Sequence, residues 1–197
     1  KQIAAELKKI QKLAIGAIAP DFTAPLSDGG VLSLHETKAK VKVVDFWASW
    51  CQPCRAENVN LIKIYKRFRP KGLEIISVSL DDNKHAWLAA IGQDGCNWKC
   101  VSDLKGQKSE IAAEYQVKGI PCTFILDEEN RIVAKNLRGR ELEKKIEEMD
   151  IVFLMDRFGY ARSVDVPTYE RNKEAADSEN KYVVFCKNTG KICIFTN

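Results

Sequence analysis

The chain has 197 residues, of which 45% are apolar and 29% are charged, and its formal net charge is +4. This composition can build one full hydrophobic core and a small appendage, which excludes a small scaffold held together only by disulfides. The net charge is small and no Lys/Arg block dominates one segment, so the charge gives no indication of nucleic-acid binding. No apolar run approaches the roughly 18 residues of a membrane span.

The N-terminal region predicts a helix and then a hairpin. Apolar residues recur at helical spacing over residues 2–14, which predicts a short amphipathic helix or the end of a linker. Two short apolar runs then flank Ser27-Asp28-Gly29-Gly30, a turn sequence typical of a β-hairpin. Because the sequence starts at Lys1 without a methionine or a signal peptide, we expect a trimmed piece whose leader is missing.

The middle of the chain alternates strands and helices. Val41–Ala48 is almost continuously β-branched and aromatic, which predicts a central strand buried on both faces. Residues 52–69 have helical spacing, and residues 73–80 predict a second buried strand. This strand–helix–strand order favours parallel pairing with a right-handed connection.

The remaining pattern closes one domain and begins another. Two helices are predicted over residues 83–92 and 109–116. An antiparallel hairpin is predicted over residues 122–137, with its turn at residues 128–130, and a final helix is predicted over residues 141–149. The predicted domain is therefore α/β, with a mixed central sheet flanked by helices, and it spans residues 15–149. Residues 150–197 predict strand pairs around a polar stretch, which indicates a separate β-rich appendage.

The motif FWASWCQPCRAE, residues 46–57, places Cys51 and Cys54 where a buried strand passes into a helix. Zinc needs about four ligands, but His35 and His85 are isolated and no second CxxC pair exists. A purely structural disulfide between Cys51 and Cys54 would close only a very short loop, so its entropic stabilisation would be small. At a helix start, free N–H groups and the helix dipole favour a thiolate, the species that attacks disulfides.

These observations favour a dithiol that exchanges electrons. Cys51 is the outer, nucleophilic candidate, and Cys54, one turn into the helix, is the shielded thiol that resolves the mixed disulfide. Pro53 stiffens the turn between them and loses no hydrogen bond in the first helical turn.

Two stretches, VVDFWASWCQPC and VKGIPCTFILD, resemble the thioredoxin fold. Together with APDFTAPLSDGG and VSDLKG, they resemble the TlpA/ResA-like branch of bacterial thiol–disulfide oxidoreductases over roughly residues 15–149. The resemblance implies that Cys51 attacks, that Cys54 resolves, and that a cis peptide before Pro121 packs against the pair. Backbone exposed there can pair with a substrate strand. The expected substrate-contacting residues are Trp50, Gln52, Pro53, Ile120 and Cys122.

Two acids have alternative interpretations. Asp45 lies in an apolar strand, either as a hydrogen-bonded or partly exposed acid or, as the resemblance implies, as a buried proton acceptor for Cys54. Glu57 matches the acid that follows the second cysteine by three positions in the ResA-like branch, but it is also explained as a solvated carboxylate in the first helical turn.

The other five cysteines are open to more than one interpretation. Cys122 follows Pro121 and is either near the active pair or simply a small buried strand residue. Cys96 and Cys100 flank a predicted loop, either paired or free, and Cys186 and Cys193 face each other in only one register of a terminal hairpin.

The appendage has a resemblance of its own. Residues 153–197 resemble a fragment of the C-terminal β-pinwheel region of bacterial DNA gyrase A. The stretch lacks the catalytic parts of a topoisomerase, so it implies no gyrase activity, and a structural or inert role is expected.

The expected function is thiol–disulfide exchange with protein disulfide or thiol substrates and an upstream thiol reductant. No cofactor other than a redox-active Cys51–Cys54 disulfide, no metal and no nucleic acid is expected, and the chain is expected to be a monomer outside the cytoplasm. A peroxiredoxin-like peroxidase is the first alternative, although Ala48 stands where that chemistry needs a threonine. A non-catalytic binding module is the second alternative.

Overall fold

The computed structural model describes residues 11–156, 161–165 and 173–187. Contacts within the chain define two units, which separate in sequence between Gly139 and Arg140. The described part of the first unit contains seven strands: β1 (Thr23–Pro25), β2 (Val31–Ser33), β3 (Val41–Trp47), β4 (Leu73–Ser79), β5 (Lys99–Ser102), β6 (Cys122–Asp127) and β7 (Ile132–Lys135). Its helices are α1 (Gln52–Phe68), α2 (Lys84–Asp94) and α3 (Glu110–Glu114), and α4 (Gly139–Glu148) begins at its last residue.

A five-stranded mixed sheet has the order β5-β4-β3-β6-β7. Strand β3 lies at the centre, parallel to β4 and antiparallel to β6, and all seven of its residues are buried. Its β-branched and aromatic residues suit such a position, because both faces of a central strand lie against apolar side chains. The predicted central strand, its parallel partner and the hairpin of β6 with β7 are confirmed.

Both faces of the sheet are covered. Helix α1 buries Leu61, Ile64, Tyr65 and Phe68, which recur at helical spacing along its length. Residues on the opposite face, including Val44, Phe46, Ile76, Val78, Phe124 and Leu126, form a continuous apolar core with the N-terminal segment and α3. The predicted mixed sheet flanked by helices, a thioredoxin-like arrangement, is therefore confirmed.

Strand β5 is the one element of this sheet that the sequence pattern did not predict. It has only four residues and runs parallel to β4 at the edge of the sheet. Such a short edge strand carries little periodic signal. Cys96 precedes a short loop at residues 97–98 and Cys100 lies just after it within β5, so the prediction that the two cysteines flank a loop is confirmed.

An N-terminal segment, residues 16–27, pairs with both edges of the sheet. Ile132 donates its N–H to the Ala17 carbonyl (2.8 Å), next to β6 and β7. At the other edge, Ser27 donates to the Cys100 carbonyl (2.9 Å), and Leu26 forms a bridge with Val101. The predicted hairpin is confirmed as β1 and β2, whereas the predicted helix over residues 2–14 lies largely outside the described residues.

The second unit contains β8 (Asp150–Asp156), β9 (Ala161–Asp165), α5 (Lys173–Glu179) and β10 (Asn180–Lys187). Its strands form an antiparallel sheet in the order β10-β8-β9, which confirms the first predicted strand pair. Helix α5 forms in the polar stretch, where Glu and Ala are good helix formers. The predicted partner strand after residue 187, and with it the pairing of Cys186 and Cys193, lies outside the described residues.

Candidate active site

The loop after β3 carries the two cysteines to the start of α1. Cys51 is the N-cap residue of that helix, and its sulfur accepts a hydrogen bond from the Cys54 N–H (3.3 Å). The two sulfurs form a disulfide bond of 2.04 Å. In this oxidised state Cys51 is 5% exposed and Cys54 is 2% exposed. The strand-to-helix junction predicted for the CxxC motif is confirmed.

Residues beside the disulfide form the outer surface of the site. Trp50 is 58% exposed, and Gln52 and Pro53 are also exposed. An exposed indole next to a reactive cysteine provides an apolar contact for a docking polypeptide. Trp47, in contrast, is 1% exposed and packs inside the protein.

The active loop is held by charged groups on both sides. The Asp81 carboxylate accepts from the Ser49 N–H (2.9 Å) and from the Ser49 hydroxyl (2.5 Å). The guanidinium of Arg55 donates to the Ser49 carbonyl (3.1 Å) and forms an ion pair with Asp94. These contacts fix the loop immediately before Trp50 and Cys51. Sequence patterns did not indicate the Ser49–Asp81 and Arg55–Asp94 contacts, because those partners lie 32 and 39 residues apart along the chain.

The loop before β6 lies next to the C-terminal end of β3, the end that leads to the CxxC motif. The Ile120–Pro121 peptide bond is cis, as the resemblance implies. Cys122 pairs with Phe46 in the sheet, which places Pro121 beside the end of β3 that leads to the CxxC motif. The guanidinium of Arg138 donates to the Pro121 carbonyl (2.8 Å). Cys122 is half-buried, and burial, followed by the charge of Asp45, raises the pKa of its thiol to about 11.

Asp45 is a buried acid in the centre of the sheet. It is 2% exposed, and its Oδ2 accepts a hydrogen bond from the Ser77 hydroxyl (3.3 Å) on the neighbouring strand β4. Burial raises the pKa of Asp45 from 3.8 to about 7, and the negative charge of Glu57 adds to the effect, while the Ser77 hydrogen bond opposes it. A carboxyl group with this pKa can both accept and release a proton near neutral pH.

Ser77 connects Asp45 to an indole that the sequence did not single out. The Trp98 Nε1–H donates to the Ser77 hydroxyl oxygen (2.8 Å), so the single hydroxyl proton of Ser77 is directed towards Asp45. Trp98 packs edge-on against Tyr65 of α1, with ring centroids 5.8 Å apart. Asp45, Ser77 and Trp98 therefore lie on the face of the sheet that α1 covers.

Ser77→Ala is expected to raise the pKa of Asp45 by about one pH unit. The lost hydrogen bond to a charged group is worth roughly 1.5 kcal/mol, and it favours the ionised carboxylate. The pKa is measured by following the Asp45 carboxyl carbon by NMR across pH. Ser79→Ala is the matched control, since the Ser79 hydroxyl binds Asp81 instead. An unchanged Asp45 titration in Ser77→Ala would contradict this assignment.

Glu57 lies in the second turn of α1, rather than in the first turn as predicted, and it is half-buried. Its Oε1 accepts from the Gly139 N–H at the start of α4 (2.6 Å), and its Oε2 accepts from the Asn60 amide (3.0 Å). Both carboxylate oxygens therefore have partners within the protein, so the interpretation of Glu57 as a fully solvated acid is wrong. Its charge still acts on the pKa of Asp45.

A groove of about 630 Å³ extends from the loop that contains Pro121, the proline loop, along β6 and β7. It lies on the face of the sheet that α1 does not cover. The residues that line it include Ile120, Pro121, Cys122, Lys118, Lys135 and Arg138. It combines the apolar side chains of Leu13, Tyr115 and Phe124 with the three cationic side chains named above.

Neither a metal site nor a membrane span is present in the described residues. No group of three or more His, Cys, Asp or Glu side chains among them is placed to hold a metal ion. No helix in the described ranges combines the length and the apolar character needed to cross a bilayer.

Comparisons with known proteins agree with this geometry. The AhpC/TSA family profile matches residues 15–135. The chain is 30% identical over 137 residues to the thiol-disulfide oxidoreductase ResA of Bacillus thuringiensis (strain Al Hakam), an alignment that covers 70% of this chain and 77% of that relative.

Solved structures show the same fold. The thioredoxin domain of a thiol-disulfide oxidoreductase from Bacteroides vulgatus is 37% identical, with a TM-score of 0.65 over 69% of this chain and 97% of that chain. A thiol:disulfide interchange protein from Bacteroides sp. is 36% identical, with a TM-score of 0.64 over 70% of this chain and 90% of that chain. The chain therefore belongs to the AhpC/TSA family, and with its Cys51–Cys54 pair on a thioredoxin-like fold it is a thiol–disulfide oxidoreductase.

Proposed function

We propose that the protein reduces or exchanges disulfides of other proteins, with Cys51 as the attacking thiol and Cys54 as the resolving thiol. The observation that carries this proposal is the Cys51–Cys54 disulfide at the start of α1, in the segment that follows the strand in which Asp45 is buried. Cys51 is the more exposed of the two residues and occupies the N-cap position. A thiolate there is stabilised by the helix dipole and by the Cys54 N–H.

The reaction proceeds by two displacements at sulfur. In the reduced protein, the Cys51 thiolate attacks a substrate disulfide, forms a mixed disulfide and releases one substrate thiolate. Cys54 then loses its proton, attacks the Cys51 sulfur and releases the second substrate thiolate. Two electrons pass to the substrate, and an upstream thiol reductant restores the dithiol by the reverse sequence of displacements.

Asp45 is proposed as the acceptor of the Cys54 proton. Its carboxyl group is buried on the face that α1 covers, and its pKa of about 7 suits proton transfer at neutral pH. Glu57, whose oxygens are occupied by Gly139 and Asn60, is proposed to act through its charge, which raises the pKa of Asp45.

A protein substrate is proposed to bind across Trp50 and the proline loop. Trp50 provides an exposed apolar surface, and the groove at Ile120, Pro121 and Cys122 can receive an extended polypeptide. We also propose that the chain acts as a monomer and, as its resemblance to the ResA-like branch implies, outside the cytoplasm.

The test is insulin reduction by dithiothreitol, measured in parallel with hydrogen peroxide turnover. If the protein exchanges disulfides, insulin is reduced faster than by dithiothreitol alone. Hydrogen peroxide is then consumed no faster than by dithiothreitol alone. Ala48 provides no hydroxyl next to the cysteines, and the Ser49 hydroxyl already donates to Asp81. Peroxide turnover without insulin reduction would favour the peroxidase, and neither activity would favour a binding module.

Residues 150–197 are proposed to be an appendage without a part in the exchange, and the gyrase A resemblance stays a prediction. A chain that ends at Met149 is expected to keep its insulin reductase activity within about twofold, because every proposed site residue lies within the first unit. Activity and thermal midpoint are compared for residues 1–149 and 1–197. A truncated chain that is folded but inactive would show that the appendage contributes to the site.

A further inference from the structure

The groove beside the proline loop carries positive charge. Its charged lining residues are Lys118, Lys135 and Arg138, and all three are exposed. Among the described residues that line the groove there is no aspartate or glutamate. Glu114, the acid that precedes the lining segment in the chain, forms an ion pair with Lys12. The groove therefore presents a net positive charge to a molecule that enters it.

Two of the three cations are oriented by the backbone. Lys135 donates from Nζ to the Leu13 carbonyl (2.8 Å), and Arg138 donates to the Pro121 carbonyl (2.8 Å). A carbonyl oxygen has no net charge, so these bonds hold the two side chains without neutralising them. An ammonium group has three donors and a guanidinium group has five, so both cations keep further N–H groups for a carboxylate.

Apolar side chains complete the groove. Tyr115 and Phe124 pack edge-on, with ring centroids 5.0 Å apart, and Leu13 lies with them in the apolar core. This part of the groove is therefore formed before anything binds. The volume of about 630 Å³ lies within the range of about 300–1,000 Å³ that is usual for binding clefts. A fixed apolar surface beside several cations suits a short polypeptide segment that contains both acidic and apolar residues.

We propose that this groove selects protein substrates by charge, and that the preferred substrate carries acidic residues close to the cysteine that Cys51 attacks. The inference rests on the proposed disulfide exchange, because it assigns a substrate class to the same site. Pro121 lines the groove, and the next residue, Cys122, pairs with Phe46 near the end of β3 that leads to the CxxC motif. A polypeptide in the groove therefore extends towards the disulfide. Opposite charge attracts an acidic segment to this position and disfavours a basic one.

The test compares three peptides of one sequence, with glutamates, glutamines or lysines on both sides of a central cysteine. Each peptide is supplied as a disulfide-linked pair to the reduced full chain, and the single-turnover rate is divided by the rate with dithiothreitol. This division removes differences in the intrinsic reactivity of the peptides. At low salt we expect the glutamate peptide to react at least about fivefold faster than the glutamine peptide, and the lysine peptide to react most slowly. The advantage should shrink as the salt concentration rises.

Two double variants locate the charge that is responsible. Lys118→Gln with Lys135→Gln is expected to lower the glutamate-to-glutamine rate ratio about threefold. Lys63→Gln with Lys66→Gln is the matched control, since it removes the same charge from exposed positions on α1, which covers the other face of the sheet. The ratio within one protein cancels any general change in activity. Equal rates for the glutamate and glutamine peptides in the unsubstituted chain would overturn the proposal, as would an equal fall in both double variants.

A binding measurement separates the groove from the thiol chemistry. The same peptides, with serine in place of cysteine and a fluorescent label, are titrated with the full chain and followed by fluorescence anisotropy. We expect the glutamate peptide to bind at least about fivefold more tightly than the glutamine peptide. Selective binding without disulfide reduction would support the charge selection and contradict the proposed exchange. Disulfide reduction without a charge preference in either measurement would support the exchange and overturn the charge selection.

Discussion

Cys51→Ser is expected to reduce insulin reductase activity to the rate of dithiothreitol alone, and Cys54→Ser is expected to accumulate mixed disulfides. A serine hydroxyl at position 51 cannot supply the thiolate that attacks a substrate disulfide. A serine at position 54 leaves that attack intact but removes the sulfur that releases the substrate. The measurements are the insulin turbidity rate and non-reducing electrophoresis with a disulfide-containing substrate.

The two variants give different results only if the cysteines have the proposed roles. A mixed disulfide that accumulates in Cys51→Ser, and not in Cys54→Ser, would reverse the assignment. Cys122→Ser is a suitable control, since its thiol lies beside the site but outside the proposed displacements, and it should retain most of the activity. An inactive Cys122→Ser variant with an intact fold would place a third thiol in the reaction.

Asp45→Asn is expected to slow exchange at neutral pH by about 100-fold or more, the lower range for the loss of a general base. The variant keeps the shape of the side chain but has no carboxylate to take the Cys54 proton. The rate of insulin reduction across pH is the measurement, and the wild-type profile should show a midpoint near the Asp45 pKa of about 7. Glu57→Gln should stay active with a lower midpoint, because removing that charge lowers the Asp45 pKa. An active Asp45→Asn variant with an unaltered pH profile would exclude Asp45 as the proton acceptor.

The same substitution is expected to stabilise the protein at higher pH. Because the fold raises the Asp45 pKa from 3.8 to about 7, the folded state binds a proton more tightly than the unfolded state. The associated stability is complete below pH 3.8, falls as pH rises to about 7 and then stays low. The cost of the buried carboxylate at higher pH is on the order of 4 kcal/mol, at about 1.4 kcal/mol for each tenfold change in acidity. Thermal midpoints of the two proteins should agree near pH 4 and separate above pH 7, with Asp45→Asn higher; a difference independent of pH would contradict this account.

The sequence was sufficient to predict the elements that position the cysteines. Strand β3 is long, apolar and β-branched, and α1 repeats its apolar residues at helical spacing, so each has a strong local signal. The junction between them then placed Cys51 at a helix start. Local patterns were also adequate for the hairpin of β6 and β7, which has a polar turn between two apolar runs.

The contacts that define the chemistry of Asp45 could not be predicted in this way. Ser77 reaches Asp45 because β3 and β4 pair in one particular register, and Trp98 reaches Ser77 because the chain bends before β5. Neither register nor that bend leaves a periodic trace in the sequence. The resemblance indicated a proton acceptor at this position, but the source of its altered acidity required the three-dimensional arrangement.

Residues 16–27, which pair with both sheet edges, have a consequence for synthesis on the ribosome. Residues 16–27 are translated well before their partners in β5 and at the start of β7. Contacts between such distant parts of a chain form slowly and late. Phe22 and Leu26 must therefore stay exposed to solvent on the nascent polypeptide until most of the first unit has emerged from the ribosome. During this interval the chain is most prone to misassembly, and binding of a chaperone to its exposed apolar segments has the largest effect.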